Sequence, residues 1–398
     1  MPESRVFFVN RVYWPAEAAT ARLLTDLAEA LAARGWEVHV IAAGAGPDAN
    51  RGVTIHRTGG SERHGGLVSR TLNFRRFLAA ARRELAGHVG PGDVVVLMTD
   101  PPTLAAAGTG PARSRGARVV QWIHDIYPEI VAAHAGAWLA PALWPLRRAR
   151  NGAWRAADLC VALDADMVGT VRDQGVRAEA SLVLPNWAPP ELDAPAGAEA
   201  VAAQRRDWEL EGRFVAAYFG NLGRVHEFSC LLAAAQLLRD EPGIVFLFAG
   251  EGARYDEVRT AVEARRLGNV RFLPAQPRDR LAAALAAADV HFVTLRPGFE
   301  RLVSPSKLAG VLAAARPVLF VGPGRSGLAA LLAREECGLS LAPSEAGGLA
   351  AAIRTLRGDP ARRQALGRAA RGCYERHFTF AAAVARWDGL LRGVAGRR

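Results

Sequence analysis

The chain has 398 residues, of which 50 are basic and 39 acidic, so its formal net charge is +11. Half of the residues are apolar and 22% are charged, which excludes a disordered or collagen-like chain and predicts about two globular domains at this length. No stretch approaches the roughly 20 apolar residues of a membrane span, and the N-terminus lacks the features of a signal peptide. The four cysteines are far apart, so we expect neither a zinc finger nor a disulfide framework and infer a reducing compartment.

Lysine is nearly absent from the basic residues: Lys307 is the one lysine among 50, and the others are arginine. A lone lysine in such a chain is a candidate position for a compact ammonium group with a specific role, and the alternative is a solvated surface cation. Six arginines and no acid lie between Arg63 and Arg83, and a second arginine-rich stretch begins at Arg354. These segments fit a solvated surface or an anionic lipid surface. No nucleic-acid motif accompanies them, so we expect no nucleic-acid partner.

The first half of the chain alternates short apolar runs with amphipathic segments, which predicts strands and helices in turn. Most strands are apolar throughout, as in a parallel sheet that is covered on both faces. The first helix is predicted over Ala18–Arg34, with Gly35 as its C-cap. The predicted strands are Val6–Val9, Val38–Ala42, Val94–Met98, Arg118–Ile123, Leu159–Leu163 and Ser181–Leu184.

Four prolines between Leu184 and Gly197 indicate an interdomain linker, after which the same alternation begins again. We therefore predict an α/β fold of two doubly wound parallel sheets, with domains at residues 1–190 and 191–376. The predicted strands of the second half are Phe214–Phe219, Ile244–Ala249, Val270–Leu273, Val290–Leu295 and Pro317–Val321. Its predicted helices are Phe228–Leu238, Tyr255–Arg266, Leu281–Ala288, Ser306–Ala314 and Gly327–Arg334, followed by a terminal helix over Phe380–Val394.

Three motif matches fail in their context. Gly44–Ala49 fits a dinucleotide fingerprint but leads into another extended run instead of a helix. Asp164 and Asp166 form a D-x-D pattern, yet Asp164 follows a strand and opens a helix, where an acid is an ordinary N-cap. Ser304–Lys307 matches the S-x-x-K motif of serine acyl transfer, whose partner motif needs a second lysine.

Two loops have the composition of a diphosphate site. Gly220–Glu227 follows a strand with glycines that let a ligand approach the backbone, and then supplies Arg224 and a helix N-terminus. Pro305–Lys307 also lies between a strand and a helix, and its ammonium is a point charge for phosphate. Because ligands of open α/β sheets bind at the carboxyl ends of the strands, we expect the chemistry on these loops.

Three further loops follow strands and are weaker candidates. Gly250 and Gly252 form a flexible turn after a buried strand. His124 ends another strand, and Asp125 could orient its ring. Asn10–Thr20 is a polar and aromatic loop, in which Glu17 would also suit a helix N-terminus.

Together these motifs resemble those of the family-4 glycosyltransferases of the GT-B fold, nearly from end to end. The runs GNLGRVHEF and LRPGFERLVSPSKLAGVLAAARPVLF are most similar to sugar transferases of O-antigen, capsule and colanic-acid clusters, with N-acetyl-L-fucosamine transferases as the nearest type. The resemblance implies two Rossmann-like domains that face a central cleft. Residues 1–190 would bind the acceptor, residues 191–376 the nucleotide-sugar donor, and a C-terminal helix at 377–398 would pack back on the first domain.

The resemblance also implies roles for single residues. Arg224 and Lys307 match the cation pair that neutralises the departing diphosphate. His124 matches a histidine that contacts the donor sugar, and Glu300 lies where the first of two glutamates is expected. Gly310 replaces the second glutamate, which holds the ribose in relatives. The other implied donor-binding residues are Gly220, Asn221, Gly223, Gly250, Gly252, Leu273, Pro274, Ser304 and Ser306, and the implied acceptor or cleft residues are Asn10, Tyr13, Glu17 and Asp125.

The activity implied is retaining transfer of an N-acetylated amino or deoxyamino hexose from a UDP-sugar to a lipid-linked glycan, with no cofactor and no metal. Preorganised cations that face the leaving diphosphate lower the activation barrier of the transfer by several kcal/mol. The acceptor would be carried by a polyprenyl diphosphate at the cytoplasmic membrane. Three alternatives share the fold: a transferase with a soluble small-molecule acceptor, a UDP-sugar 2-epimerase and a non-catalytic UDP-sugar-binding partner subunit.

The tryptophan-rich segment Ala137–Leu146, which also contains several leucines, is followed directly by a cluster of arginines. Such a segment suits the interface of an anionic bilayer, and the alternative is the edge of a domain core. We predict peripheral contact with the inner face of the cytoplasmic membrane, through Trp138, Leu139, Leu143, Trp144, Arg147 and Arg148.

Overall fold

The computed structural model describes residues 5–59 and 66–396, so Arg63 of the first basic segment lies outside the described residues. Contacts divide the chain into two units. Unit 1 comprises Met1–Pro185, Arg301–Ser304 and Ala383–Arg398, and unit 2 comprises Asn186–Glu300 and Pro305–Ala382. Each unit is built on one largely parallel sheet with helices packed against it.

The strands of unit 1 are β1 (Arg5–Val9), β2 (Glu37–Ala42), β3 (Ala49–Asn50), β4 (Val53–Arg57), β5 (Val94–Leu97), β6 (Arg118–Ile123), β7 (Leu159–Ala162) and β8 (Ser181–Val183). Its helices are α1 (Ala19–Ala32), α2 (Leu67–His88), α3 (Leu104–Ser114), α4 (Glu129–Ala135), α5 (Ala140–Ala156) and α6 (Ala165–Asp173). Short 3₁₀ turns lie at Ala137–Leu139 and Ala178–Ala180. The sheet has the order β3-β4-β2-β1-β5-β6-β7-β8, and β3 pairs with β4 in the antiparallel sense while the other pairs are parallel.

The central strands of this sheet are buried on both faces, which is why their sequences are apolar without alternation. Phe7 of β1 is fully buried and lies in register with His39 of β2 and Val95 of β5. The predicted bounds of β6 are confirmed, and the other predicted strands of unit 1 differ at their ends by one residue. Gly44–Ala49 leads into β3 and β4 and not into a helix, as expected.

The strands of unit 2 are β9 (Phe214–Phe219), β10 (Ile244–Ala249), β11 (Val270–Leu273), β12 (Val290–Thr294), β13 (Val318–Val321) and β14 (Gly338–Leu341). Its helices are α7 (Ala198–Asp207), α8 (Ser229–Leu237), α9 (Tyr255–Ala264), α10 (Arg278–Ala286), α11 (Leu308–Ala313), α12 (Gly327–Arg334), α13 (Ala346–Gly358) and α14 (Pro360–His377), with a 3₁₀ turn at Pro190–Leu192. The sheet is parallel, in the order β11-β10-β9-β12-β13-β14.

Aromatic residues fill the core of unit 2. Phe246 of β10 stacks on Phe292 of β12, with ring centroids 5.6 Å apart, and Phe228 meets the Tyr218 ring edge-on at 5.2 Å. The predicted bounds of β9, β10 and β11 are confirmed. The helix predicted over Ser306–Ala314 is shorter, because α11 begins at Leu308 and leaves Lys307 at the cap position.

The last helix, α15 (Phe380–Ala395), contributes most of its length to unit 1. Its Trp387 is buried, and the Trp387 ring lies 4.7 Å from that of Trp122 in β6. The Trp36 indole donates a hydrogen bond of 2.7 Å to Asp388 of the same helix. In the described part of the chain, no helix is long and apolar enough to cross a membrane.

Candidate active site

Two glycine-containing loops meet at the carboxyl edge of the unit 2 sheet. The loop after β9 begins at Gly220, whose N–H donates to the Ala249 carbonyl at 2.8 Å. Two residues further on, the Leu222 N–H donates to Glu251 of the loop after β10 at 2.7 Å. Because β9 and β10 are neighbours in the sheet, these bonds continue their pairing beyond the strands. The edge is therefore a fixed backbone surface.

The close approach of these loops requires glycine at two positions. A Cβ atom at Gly250 would lie 2.3 Å from the Gly220 carbonyl oxygen, at a φ of +140°. A Cβ at Gly252 would lie 2.3 Å from Asn221 Oδ1, at a φ of +150°. Any larger residue would therefore push one loop away from the other. Gly250 and Gly252, two of the predicted donor-binding glycines, are therefore required by the packing of the loops themselves.

Lys307 lies on this edge, just before α11. Its aliphatic chain runs over Gly220, where a Cβ would come within 2.9 Å of Lys307 Cε. Its Nζ lies 2.9 Å from His226 Nε2 and 5.0 Å from the centroid of the Tyr218 ring. Burial lowers the pKa of the Lys307 amine to about 7. Among the residues that the structure describes, no carboxylate pairs with this amine.

His226, to which sequence reasoning gave no role, contacts the Lys307 amine. The ring is buried, and its Nδ1 lies 2.8 Å from the Thr294 carbonyl oxygen. Burial, together with the Lys307 charge, lowers the pKa of His226 to about 3, so the ring is neutral. A carbonyl accepts only, so Nδ1 carries the proton and Nε2 accepts from Lys307. The only signal in the sequence was the position of His226 two residues after Arg224.

The other predicted cation and the predicted acid of this edge, Arg224 and Glu300, lie on loops and are not in the contact between Lys307 and His226. Arg224 is exposed on the loop after β9, and its carbonyl oxygen accepts from Arg296 at 3.3 Å. Glu300 accepts a hydrogen bond of 2.7 Å from the backbone N–H of Gly298, so it braces its own loop. Since β9 and β12 are neighbours, the loops of Arg224 and Glu300 leave the same edge.

The remaining predicted donor-binding residues frame these loops. Leu273, at the end of β11, accepts from the Gly250 N–H at 3.0 Å, and Pro274 after it is exposed. Asn221 is exposed, and its carbonyl oxygen accepts from the Tyr218 hydroxyl at 2.8 Å. The other members are Gly223, which is half-buried, and Ser306, which is exposed.

Gly310 occupies the position of the expected second glutamate. A Cβ there would lie 3.5 Å from Leu285 and 3.6 Å from Leu192, which are ordinary contact distances. The backbone therefore has room for a side chain at this position. The lack of a carboxylate is a property of the sequence and is not imposed by crowding.

The carboxyl edge of the unit 1 sheet carries a second group of polar residues. Arg11, after β1, forms a salt bridge of 3.0 Å with Asp100, after β5. His124 is buried with its ring 4.7 Å from that of Trp122, and burial lowers its pKa to about 3. Burial, with the charge of Asp100, raises the pKa of Asp125 to about 6. The His124 ring is therefore neutral, and the Asp125 carboxyl keeps its proton to a higher pH than an ordinary aspartate does.

The predicted acceptor loop is more buried than its polarity suggested. Asn10 is fully buried, and its side-chain amide donates to the Val12 carbonyl at 2.7 Å. Tyr13 is also fully buried, so both side chains contribute to the interior of unit 1. Glu17 is exposed and pairs with Arg22 of α1.

Asp164 has the capping role that its position predicts. Its carboxylate accepts from the Met167 N–H at 2.9 Å at the start of α6. It also bonds the hydroxyl of Ser304, a predicted donor-binding residue that belongs to unit 1. Burial raises the pKa of Asp164 to about 6 in spite of these bonds.

The tryptophan-rich segment forms an exposed apolar surface on unit 1. Trp138 is 76% exposed and Trp144 is 50% exposed, which places both outside the core. The Arg148 guanidinium lies 5.6 Å from the centroid of the Trp144 ring, and Arg147 beside it is exposed. Leu139 and Leu143 are half-buried, and Leu143 lines a cavity of about 380 Å³.

Comparison with known proteins agrees with this architecture. Residues 20–192 match the family model "Glycosyltransferase Family 4", and residues 201–372 match "Glycosyl transferases group 1". The chain belongs to the family-4 glycosyltransferases. The predicted family and the predicted GT-B fold of two parallel-sheet domains are thereby confirmed.

Two curated relatives match part of this chain. "Probable glycosyltransferase WbjE" of Pseudomonas aeruginosa is 30% identical over 259 residues, which is 64% of each chain. "Putative colanic acid biosynthesis glycosyl transferase WcaI" of Escherichia coli is 32% identical over 148 residues, or 37% of this chain and 36% of that protein. The chain thus spans less than two thirds of either relative. The structure of HepE from Anabaena, in complex with UDP and glucose, has a TM-score of 0.75 at 17% identity and covers 98% of this chain and 100% of that one.

Proposed function

We propose that this glycosyltransferase moves a sugar, of the N-acetylated amino or deoxyamino hexose type, from a UDP-sugar to a lipid-linked glycan, with retention at the anomeric carbon. The observation that carries the proposal is the buried Lys307 amine, which lies on a glycine surface without a carboxylate partner among the described residues. Such an amine is a site for an anion that the protein itself does not supply. The UDP named with HepE supports a UDP-sugar donor, and the colanic acid biosynthesis named for WcaI supports a glycan acceptor.

The proposed mechanism uses the edge of unit 2 to stabilise the leaving group. As the bond between the anomeric carbon and the diphosphate breaks, negative charge develops on the diphosphate oxygens and the sugar becomes oxocarbenium-like. Lys307 would neutralise these oxygens from one side, and Arg224 would reach them from its exposed loop. In a retaining transfer of this type, the acceptor hydroxyl attacks on the face that the diphosphate leaves. Its proton passes to the departing phosphate, so no protein base is required.

The ligand test is a thermal-shift screen of UDP, GDP, dTDP and the corresponding nucleotide-sugars, since a ligand of the folded state raises apparent stability. We expect UDP and UDP-sugars to raise the melting temperature of the wild-type chain and to have less effect on Lys307→Met. Equal shifts in both proteins would remove Lys307 from the diphosphate site. A preference for GDP or dTDP would replace the proposed donor.

The reaction test is product analysis with a UDP-N-acetylhexosamine and a polyprenyl-diphosphate-linked acceptor. We expect a glycosylated acceptor and UDP as products. Conversion of the UDP-sugar without acceptor would support the epimerase instead. Transfer to soluble acceptors alone would overturn the lipid-linked acceptor. Binding of the UDP-sugar without turnover would indicate a non-catalytic UDP-sugar-binding partner subunit.

We also propose that unit 1 docks on an anionic membrane surface through its exposed tryptophans and neighbouring arginines. Tryptophan and arginine side chains of this arrangement suit the headgroup level of a bilayer. The described arginines of the first basic segment, on α2, are all exposed, which adds positive charge to the same unit. A peripheral position on the cytoplasmic face would bring the enzyme to its lipid-linked acceptor.

A further inference from the structure

Three histidines of unit 1 gather where α2 meets the sheet, although the chain has only nine. His56 lies in β4, and Glu84 and His88 lie one turn apart at the end of α2. A spacing of four residues on a helix directs two side chains to the same face. One ring nitrogen each of His56 and His88 and one carboxylate oxygen of Glu84 lie within 4.8 Å of one another.

The distances within this cluster suit a small divalent ion. Glu84 Oε2 lies 3.3 Å from His88 Nε2 and 3.6 Å from His56 Nδ1. A tetrahedral site with metal–ligand bonds of about 2.0–2.1 Å has ligand–ligand separations of roughly 3.3–3.4 Å. Two of the three separations already match this geometry. The third separation is the one between the ring nitrogens of His56 and His88. The His88 side chain is half exposed, so it can move to shorten this distance.

A hydrogen-bonded relay orients His56 toward this cluster. His56 Nε2 lies 3.1 Å from His39 Nδ1, and His39 Nε2 lies 2.8 Å from Glu37 Oε1. The His39 ring stacks on Phe7 at 4.4 Å with an interplanar angle of 8°, which holds the ring in place. Metal-binding histidines commonly have this support, with the second ring nitrogen bonded to a neighbour that ends in a carboxylate.

The proton positions in the relay leave two hydrogen-bond acceptors, His56 Nδ1 and the Glu84 carboxylate, facing each other. A carboxylate accepts only, so His39 Nε2 carries the proton shared with Glu37, and in the tautomer with one ring proton His39 Nδ1 accepts from His56 Nε2–H. The neutral His56 ring then presents a bare Nδ1 lone pair to the Glu84 carboxylate, and a cation between them removes this mismatch. We propose that His56, Glu84 and His88 bind a divalent transition-metal ion of the zinc class, with Glu37 and His39 as positioning residues. Two imidazoles and one carboxylate are a donor set that zinc accepts, and water can complete the tetrahedron.

This site is separate from the proposed transfer chemistry, which rests on Lys307 of unit 2. The ion would instead join β4 to the end of α2 within unit 1. Binding of such an ion to the folded state alone stabilises that state. The expected consequence is a metal-dependent melting temperature.

The test is isothermal titration of the full-length, chelator-stripped chain with Zn²⁺, together with its melting temperature with and without Zn²⁺. We expect one equivalent to bind, and His88→Ala and Glu84→Gln to weaken binding at least 10-fold while the metal-free melting temperature stays unchanged. His377→Ala is the matched control, because His377 is also partly exposed and also lies near a glutamate, Glu335. His39→Gln tests the relay and should weaken binding about 10- to 100-fold.

Co²⁺ provides an independent readout, because a tetrahedral Co²⁺ site has strong visible absorption bands. We expect these bands in the wild type and in His377→Ala, and their loss in His88→Ala. No binding of Zn²⁺ at micromolar concentration would overturn the proposal. Binding that His88→Ala and Glu84→Gln leave unchanged would overturn it too, since the ion would then lie elsewhere.

Discussion

Lys307 donates its hydrogen bond to a histidine and not to a carboxylate: its Nζ lies 2.9 Å from Nε2 of His226. The Thr294 carbonyl orients the histidine ring, because it accepts a hydrogen bond of 2.8 Å from the other ring nitrogen, Nδ1. A neutral partner orients the ammonium without neutralising it. The positive charge of Lys307 therefore remains available for an anionic ligand.

His226→Phe tests this positioning role. The variant fills the space but removes the acceptor, so we expect kcat/KM for the UDP-sugar to fall about 10- to 100-fold, the range typical of lost orientation at a charged group. His226→Gln keeps an acceptor and should recover part of the loss. The pH profile of His226→Phe should also shift, because the amine loses its fixed partner. Wild-type kinetics and an unchanged profile in His226→Phe would reduce His226 to a packing residue.

The pH dependence of donor use follows from the lysine. Its pKa is lowered by burial from 10.5 to about 7, and transfer needs the ammonium form. We expect kcat/KM for the UDP-sugar to fall as pH rises through about 7. The profile of kcat should decline at higher pH, because the bound diphosphate favours the charged amine. A kcat/KM that stays level from pH 6 to 9 would contradict a titrating Lys307.

Lys307→Met should make the protein inactive and more heat-stable. A folded-state pKa below the unfolded value means that the buried ammonium destabilises the fold fully below pH 7, and that this cost fades as pH rises toward 10.5. The variant should therefore melt a few degrees higher than the wild type at pH 6, with a smaller gain at pH 9. Differential scanning calorimetry at both values measures the effect. A melting temperature lowered at pH 6 would show that Lys307 stabilises the fold.

Alanine at two glycines should have opposite effects. Gly250→Ala places a Cβ against the Gly220 carbonyl at an unfavourable φ, so we expect a loss of about 1–3 kcal/mol and weaker UDP binding. Gly310→Ala has ordinary contact distances within α11 and should stabilise by about 0.5–1 kcal/mol. Denaturant titration of the two variants gives the comparison. Equal destabilisation would show that the space around Gly310 is not available.

The membrane proposal predicts that a double variant Trp138→Ala, Trp144→Ala loses binding to anionic liposomes. Its melting temperature should stay close to that of the wild type, because both rings are exposed. Leu237→Ala is the control, since Leu237 is 55% exposed but belongs to unit 2. Co-sedimentation with vesicles that contain phosphatidylserine at physiological salt measures the difference. Equal sedimentation of the double variant and the control would count against docking through this surface.

Much of the fold was predictable because buried parallel strands are continuous apolar runs. Phe214–Phe219 and Ile244–Ala249 were found with the bounds that the structure has. The long helix α2 was missed, because its arginines were interpreted only as a basic segment and Gly66 before it provides no side-chain cap. β14 was missed because Ser340 and Gly338 interrupt its apolar character and its residues are only partly buried.

The candidate site was predictable where a loop follows a strand, as for Gly220 and Gly250. Lys307 stood out by composition alone. The contact of Lys307 with His226 was not predictable, since the two residues are 81 positions apart and meet only in the folded unit. The burial of Tyr13 was also unforeseen, because a tyrosine in a polar loop gives no sign of its depth.

The contact between the Trp122 and Trp387 rings has a consequence for how the protein is made. Unit 1 receives its last core side chain from α15, which the ribosome synthesises after every strand of unit 2. During translation, the face of Trp122 that Trp387 later covers stays exposed until the whole of unit 2 has been synthesised. The nascent chain would therefore display an apolar surface on unit 1 throughout that interval.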